Sequence, residues 1–328
     1  MLAASFESGC EPEAMGVATV PVPVLTPDHV LVKVSASAVN RADTLQRRGK
    51  YPVPAGMSTI LGLEAAGTIE AVDPTAPGNW HPGTRVMALL SGGGNAQYVV
   101  VPIQHLMAIP ENLSLHDAAA IPEAWLTAFQ LLTIAETKPG DKVLIHAGAS
   151  GVGTAAIQLV TKVFGATAIA TVGSEEKAEF VRSWGAQHVF NYKTDDWLVS
   201  VRHVTDGKGV NVVLDCVGAS YWEKNADALT VDGRWVLYGL MGGADISGNL
   251  LSKILQKRIR LQGTTLRARC NEYKAKLIEE FTAKALPHFA TGELKPVIDS
   301  KFDLADIGKA HRRMEDNLTM GKIVLNIQ

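Results

Sequence analysis

Cysteine is scarce: Cys10, Cys216 and Cys270 are the three in 328 residues, and no two share a short metal-ligand spacing. Scattered thiols in odd number suit a reducing compartment better than a disulfide framework. Long apolar runs are missing as well, since no stretch approaches the roughly 18 residues that a membrane span requires. The start, Met1-Leu2-Ala3-Ala4-Ser5-Phe6-Glu7, has neither the basic region and apolar core of a signal peptide nor the arginine-rich pattern of a transit peptide. The expected location is therefore cytoplasmic. Charge of one sign is nowhere concentrated: 31 Lys and Arg face 33 Asp and Glu, for a formal net charge of -2, which disfavours nucleic acid and membrane surfaces as partners. Internal repeats and low-complexity tails are also absent.

What is present begins with length. A chain of 328 residues, 47% hydrophobic and 20% charged, exceeds one ordinary core and predicts two domains. The most informative stretch is Asp141-Lys142-Val143-Leu144-Ile145-His146-Ala147-Gly148-Ala149-Ser150-Gly151-Val152-Gly153, followed by an apolar-periodic run from Thr154 to Phe164. Val143 to Ala147 reads as a buried strand. Val152, Ala156, Leu159 and Val163 recur at helical spacing. A pyrophosphate can approach a turn of small residues closely, where unpaired N–H groups and the helix dipole neutralise it. Gly148 and Gly153 fit G-x-G-x-x-G, whereas Ser150 stands at the middle glycine. Further strands at Ala168 to Val172, His188 to Tyr192, Val210 to Cys216 and Trp235 to Leu240 alternate with helical patterns and predict an α/β fold, a doubly wound parallel Rossmann sheet.

Residues 1 to about 120 differ in kind. Short strand-like segments at His29 to Val39, Ala66 to Val72, Arg85 to Leu89 and Ala96 to Val101 are separated by Pro and Gly, which predicts a strand-rich, barrel-like domain. Between the regions, Ser114 is a candidate N-cap for a helix over Leu115 to Ala120 that Pro122 ends, and Glu123 to Ala135 reads as another helix. Beyond the sheet lie an alternating strand at Arg258 to Leu266, amphipathic helices at Glu272 to Leu286 and Leu304 to Met314, and a last strand at Lys322 to Ile327. The expected domains are 1–122, completed by 267–328, and 123–266. The strand at Arg258 to Leu266 is a candidate edge for pairing between subunits.

Several strings together cover nearly the whole chain: Asn40-Arg41-Ala42-Asp43, Arg48-Gly49-Lys50-Tyr51-Pro52, Leu61-Gly62-Leu63-Glu64-Ala65-Ala66-Gly67, residues 120–129, 146–153 and 233–243, and Gly321-Lys322-Ile323-Val324-Leu325. In these the chain resembles the quinone oxidoreductases of the medium-chain dehydrogenase/reductase superfamily. The resemblance implies a GroES-like β-barrel catalytic domain, a Rossmann domain, NADPH as hydride donor, a quinone substrate, and a homodimer or dimer of dimers. It places Asn40 and Tyr51 on the substrate side, although Asn40 could simply close a turn and Tyr51 could pack as a half-buried aromatic. It brings Thr127, Tyr238, Gly239 and Lys322 to the cofactor, with Gly148, Ser150, Gly151, Val152 and Gly153 at the pyrophosphate. Cys216 and Gly218 fall at the carboxyl edge of the sheet, where Rossmann ligands bind.

Zinc alcohol dehydrogenases of the same superfamily carry a Gly-His-Glu string and an early Cys as metal ligands. Here the string is Gly62-Leu63-Glu64 and the early position is Asn40. Leucine cannot coordinate zinc, so a metal-free site is expected, with Glu64 a structural acceptor. Hydrogen bonds alone suit a quinone or enone better than a plain ketone, because the charge delocalises. The second Rossmann strand ends Thr171-Val172-Gly173-Ser174 without the acid that favours NAD. Gly173 leaves room for a 2′-phosphate, Ser174 can donate to it, and Lys177 supplies charge or is a plain surface lysine; the resemblance implies that Tyr192 packs near the adenosine. Competing functions are an enone or alkenal reductase and a binding protein that uses NADPH only to set its conformation.

Overall fold

A computed structural model describes residues 1–76 and 78–327. The chain divides into two compact units, Met1–Leu126 with Leu266–Gln328, and Thr127–Thr265.

The first unit is built on the strand His29–Val39, whose alternation of buried and partly exposed residues follows the period of two of a half-buried strand. Along its length it pairs antiparallel with three others, Lys322–Asn326, Glu64–Val72 and Tyr98–Pro102. Arg85–Leu89, Leu106–Ala108 and Ile298–Asp303 complete a seven-stranded sheet. Val30, Val32, Val34, Ile69, Val86, Val101, Ile323 and Leu325 pack its inside. Each such side chain contributes roughly 1.5–3 kcal/mol by leaving water. Ser114 caps the helix Leu115–Ala119 by accepting from Asp117 N–H at 3.1 Å. The next helix, Pro122–Ile134, opens on a proline, whose fixed φ suits the first helical position.

The second unit is a six-stranded, wholly parallel sheet. Its strands stand in the order His188–Asn191, Thr167–Val172, Lys142–Ile145, Val210–Asp215, Leu229–Leu237 and Arg260–Gly263. The chain starts in the middle, winds one way and then the other, as a doubly wound fold does.

Two predicted elements end elsewhere. The fifth strand occupies Leu229–Leu237, not Trp235 to Leu240. Its register jumps so that Val210 pairs with Leu229 but Val212 with Arg234, and Asp232 takes φ +61° in the intervening bulge. It stops because Gly239 folds over Cys216, where a Cβ would lie 3.0 Å from the Cys216 carbonyl oxygen. The predicted strand from Arg258 to Leu266 shrinks to Arg260–Gly263. Arg258, in the left-handed region, closes a preceding helix, Leu250–Lys257, that the sequence reading missed. The short strand does extend the sheet as its exposed last member.

Candidate functional site

In the first unit, strand pairing delivers three polar residues to one sheet end. Ile323 lies opposite Val39 and Ala65 opposite Ser37, so Lys322, Asn40 and Glu64, each one residue beyond a paired position, become neighbours. Lys322 Nζ donates to Glu64 Oε1 at 2.7 Å, to Asn40 Oδ1 at 2.6 Å and to Val39 O at 3.2 Å. Asn40 Nδ2 donates to the same Glu64 oxygen at 2.8 Å and more weakly to Ala38 O at 3.4 Å. Glu64 Oε2 accepts from the Glu123 backbone N–H at 2.8 Å. Glu64 and Lys322 are both buried. A buried ion pair is tolerable because the remaining lone pairs and protons are also bonded.

Lys322, expected at the ribose and phosphate of the cofactor, donates inside the first unit to Glu64, Asn40 and Val39, because strand register sets it against Asn40 and Glu64. Asn40 likewise uses both amide hydrogens internally. It serves as the joint of the cluster.

Two further carboxyl groups surround it. Asp43, buried, accepts from Asn40 N–H at 2.8 Å and from Gly62 N–H at 3.0 Å, yet burial outweighs both bonds and pushes it up to about 6. Gly62 is required there: its φ is +103°, and a Cβ would sit 2.3 Å from the Asn95 nitrogen. Glu123, in the first turn of its helix, is pushed up to about 8, first by burial and then by the Glu64 charge, with Lys322 opposing. Both causes favour its protonated form.

Tyr51 is half-buried in the loop after the helix Arg41–Arg47. The Arg267 guanidinium lies over its ring, 5.5 Å from the centroid. Burial and the Glu123 charge raise the Tyr51 hydroxyl, and Arg267 partly offsets them. Arg267 Nε donates to Ser91 O at 2.9 Å, while Lys274 Nζ donates to Ser91 Oγ at 2.7 Å and to Arg267 O at 2.9 Å. Sequence reasoning missed Asp43, Glu123, Arg267 and Lys274. Asp43 and Glu123 lay inside the strings 40–43 and 120–129 without being singled out.

In the second unit the glycine-rich turn is built as a cradle. Gly148 packs on Ala170, where a Cβ would come within 2.8 Å, and a Cβ on Gly153 would lie 2.4 Å from the Ala147 carbonyl oxygen. Ser150, at the middle glycine position, is the N-cap of the helix Gly151–Lys162 and accepts from Gly153 N–H at 3.0 Å. Thr154 N–H goes to Ser150 O at 2.8 Å. Gly151 and Val152 stand at the first two helical positions, whose N–H groups have no intrahelical acceptor.

At the end of the strand Thr167–Val172, Gly173, Ser174, Lys177 and Tyr192 come together. Ser174 Oγ accepts from Lys177 N–H at 3.2 Å as N-cap, and Tyr192 N–H bonds Val172 O at 2.9 Å. The space beside Gly173 is taken by Tyr192, whose hydroxyl would be 2.6 Å from a Cβ there. At the next strand end, Asp215 Oδ1 accepts from Val217 and Gly218 N–H at 2.7 and 3.1 Å. Its other oxygen accepts from Asn225 Nδ2 at 3.0 Å and Trp235 Nε1 at 3.1 Å. His146 extends the chain of bonds, with Nε2 2.7 Å from Asn225 Oδ1 and Nδ1 2.8 Å from Thr171 Oγ1. Asn225 presents its oxygen because its nitrogen serves Asp215, so the proton of His146 is on Nε2. Burial lowers the pKa of that imidazole, with the Asp215 charge and the Asn225 bond opposing. The network locks the loop carrying Cys216 and Gly218, against which Tyr238 and Gly239 fold: Tyr238 N–H donates to Asp215 O at 2.8 Å. Thr127 is partly exposed on the helix Pro122–Ile134. Among the described residues, no three His, Cys, Asp or Glu side chains gather as a metal site, and no helix is long and apolar enough to cross a membrane.

Known proteins share this construction. Residues 26–111 match the alcohol dehydrogenase GroES-like domain, and residues 151–283 match the zinc-binding dehydrogenase family. The chain is 31% identical over 305 residues to quinone oxidoreductase-like protein 2 of Bos taurus, covering 92% of this chain and 86% of that one. It is 33% identical over 307 residues to a 2-haloacrylate reductase of Burkholderia, covering 91% of each. It spans 66% of the length of another relative, the synaptic vesicle membrane protein VAT-1 homolog of Danio rerio, at 30% identity. Among solved structures, Escherichia coli quinone oxidoreductase complexed with NADPH superimposes with a TM-score of 0.89 at 29% identity, over 99% of this chain and 100% of that one. An NAD-dependent alcohol dehydrogenase gives 0.86 at 32% identity, over 100% of both. With a GroES-like unit, a doubly wound unit and relatives matched over most of their length, the chain belongs to the medium-chain dehydrogenase/reductase superfamily.

Proposed function

We propose that the protein is an NADPH-dependent quinone reductase that works without a metal. One observation supports the reading: the Lys322 ammonium sits on Glu64 and Asn40, and Leu63 stands where the Gly-His-Glu string of the zinc members has its ligand histidine. The buried carboxylate is thereby neutralised by an amine. A substrate in this unit meets hydrogen-bond donors and a protonated Glu123, conditions suited to an acceptor that spreads its own charge.

The second unit fits the cofactor. Gly151 and Val152 N–H groups suit a pyrophosphate, and Gly148 and Gly153 keep side chains out of its way. No acid ends the strand Thr167–Val172, whereas Ser174, Lys177 and Tyr192 offer two hydroxyls and a positive charge to a 2′-phosphate. Cys216, Gly218, Tyr238, Gly239 and Thr127 would line the nicotinamide side. When bound, NADPH supplies the hydride. The NADPH held by the Escherichia coli quinone oxidoreductase supports the same choice. Tyr51 is the substrate's hydroxyl donor, and Asn40 orders the Lys322–Glu64 pair behind it. Strings 120–129, 146–153 and 233–243 resemble the tumour-suppressor-induced quinone oxidoreductase of animals, a resemblance that implies ortho-quinones as the favoured substrates. A cytoplasmic homodimer, joined through the exposed strand Arg260–Gly263, completes the reading.

The deciding experiment follows NADPH oxidation with ortho-quinones, para-quinones, enones, aldehydes and simple ketones. Turnover with quinones alone supports the proposal. The 2-haloacrylate reductase among the relatives favours a second reading, enone reduction, and good turnover of enones with poor turnover of every quinone would establish it. Nucleotide binding without turnover would leave the binding-protein reading.

A further inference from the structure

The site leaves one cation without an acceptor. Arg267 is 3% exposed, and of its three guanidinium nitrogens only Nε has a hydrogen-bond partner, Ser91 O at 2.9 Å. Nη1 and Nη2 are buried and have no acceptor among the described residues. A buried guanidinium with four unanswered N–H bonds is costly, because it has lost water and gained nothing for those donors. The surroundings nevertheless hold it in place. Ser91 fixes Nε, Lys274 ties down the Arg267 carbonyl and Ser91 Oγ, and the Tyr51 ring lies against the guanidinium. Lys274 is itself buried, and burial lowers its pKa.

We propose that the free edge of Arg267, beside Tyr51, is an oxyanion subsite: it takes the substrate oxygen on which negative charge develops. The inference rests on the reductase reading given above. Reduction of a quinone transfers one hydride, with its electron pair, from the reduced nicotinamide, which leaves oxidised. The quinone becomes the hydroquinone monoanion, and one proton from solvent completes the hydroquinone. The monoanion is the species a planar, two-pronged donor stabilises best, since a charge-assisted fork is stronger than neutral hydrogen bonds. Uncharged acceptors gain less from it, so the subsite also discriminates among ligands by charge.

The test measures binding apart from turnover. The probe is 2-hydroxy-1,4-naphthoquinone, which is an enolate at neutral pH, with neutral 2-methyl-1,4-naphthoquinone as control, both titrated into the full chain in the presence of NADP+. The wild type should bind the enolate at least tenfold more tightly than the control. Arg267→Gln should lose that preference, leaving affinity for the neutral quinone and for NADPH within twofold, and Arg267→Lys, which keeps charge without the fork, should fall between. Unchanged enolate affinity in a folded Arg267→Gln protein would overturn the subsite, as would loss of NADPH affinity, which would assign the guanidinium to the cofactor. Should Arg267→Gln not fold, Arg267→Lys decides, because a fork that matters cannot be replaced without loss. If the enolate binds through Arg267 while no quinone is turned over, the subsite stands and the quinone reductase reading fails. If quinones are turned over and enolate binding ignores Arg267, the reverse holds.

Discussion

Replacing Glu123 by Gln tests the electrostatics of the first unit directly. In the folded chain, burial and the neighbouring Glu64 push Glu123 from 4.5 up to about 8, so between these values the folded state holds a proton that the unfolded chain releases. The folded-state pKa of this acid is raised, hence its contribution to stability is complete below pH 4.5 and is lost as pH rises toward 8. The slope is about 1.4 kcal/mol per pH unit. From about pH 5.5 to about pH 7.5 that amounts to about 3 kcal/mol, an upper bound because the side chain keeps some exposure to screening water. In a domain of this size the loss corresponds to about 5–10 °C in melting temperature. Glutamine imitates the protonated acid and does not titrate. Glu123→Gln should therefore melt close to the wild type near pH 5.5 and clearly above it near pH 7.5 and beyond, by differential scanning calorimetry across a pH series. Asp43, raised to about 6, titrates in both proteins, and because its charge also raises Glu123 the difference reports the coupled pair. Parallel curves would refute the reasoning, since they would mean that the folded chain already holds Glu123 ionised.

Lys322→Met should destabilise the protein by about 3–5 kcal/mol, because Glu64 is left buried without its counter-ion; adding Glu64→Gln should recover most of the loss in the same melt. Tyr51→Phe should lower kcat/KM for an ortho-quinone about tenfold and leave the NADPH dissociation constant unchanged, as befits a donor that acts on substrate. Lys177→Ala should weaken NADPH binding by about 1–3 kcal/mol and NADH binding little, measured by fluorescence titration of both nucleotides; equal effects would remove the 2′-phosphate from its role. Elemental analysis should find no stoichiometric zinc, and prolonged chelation should leave quinone turnover intact.

The sequence by itself determined the local units. The strands near 143, 168, 188 and 210, the cap at Ser114 and the glycine cradle were legible because each depends on side-chain period, capping chemistry or glycine geometry within a few neighbouring residues. Ser150 shows the limit of motif reading: it breaks the glycine pattern, and its compensating bond to Gly153 N–H is still local, so the turn survives. Tertiary structure alone decided the polar cluster. Asn40, Glu64 and Lys322 meet through the register of three strands far apart in the chain, and that register makes Lys322 the counter-ion of Glu64. Arg267 follows a strand of the second unit in sequence yet belongs to the first, where it reaches Tyr51. The proton on Glu123 depends on burial, a property of the packed unit that no spacing of residues encodes.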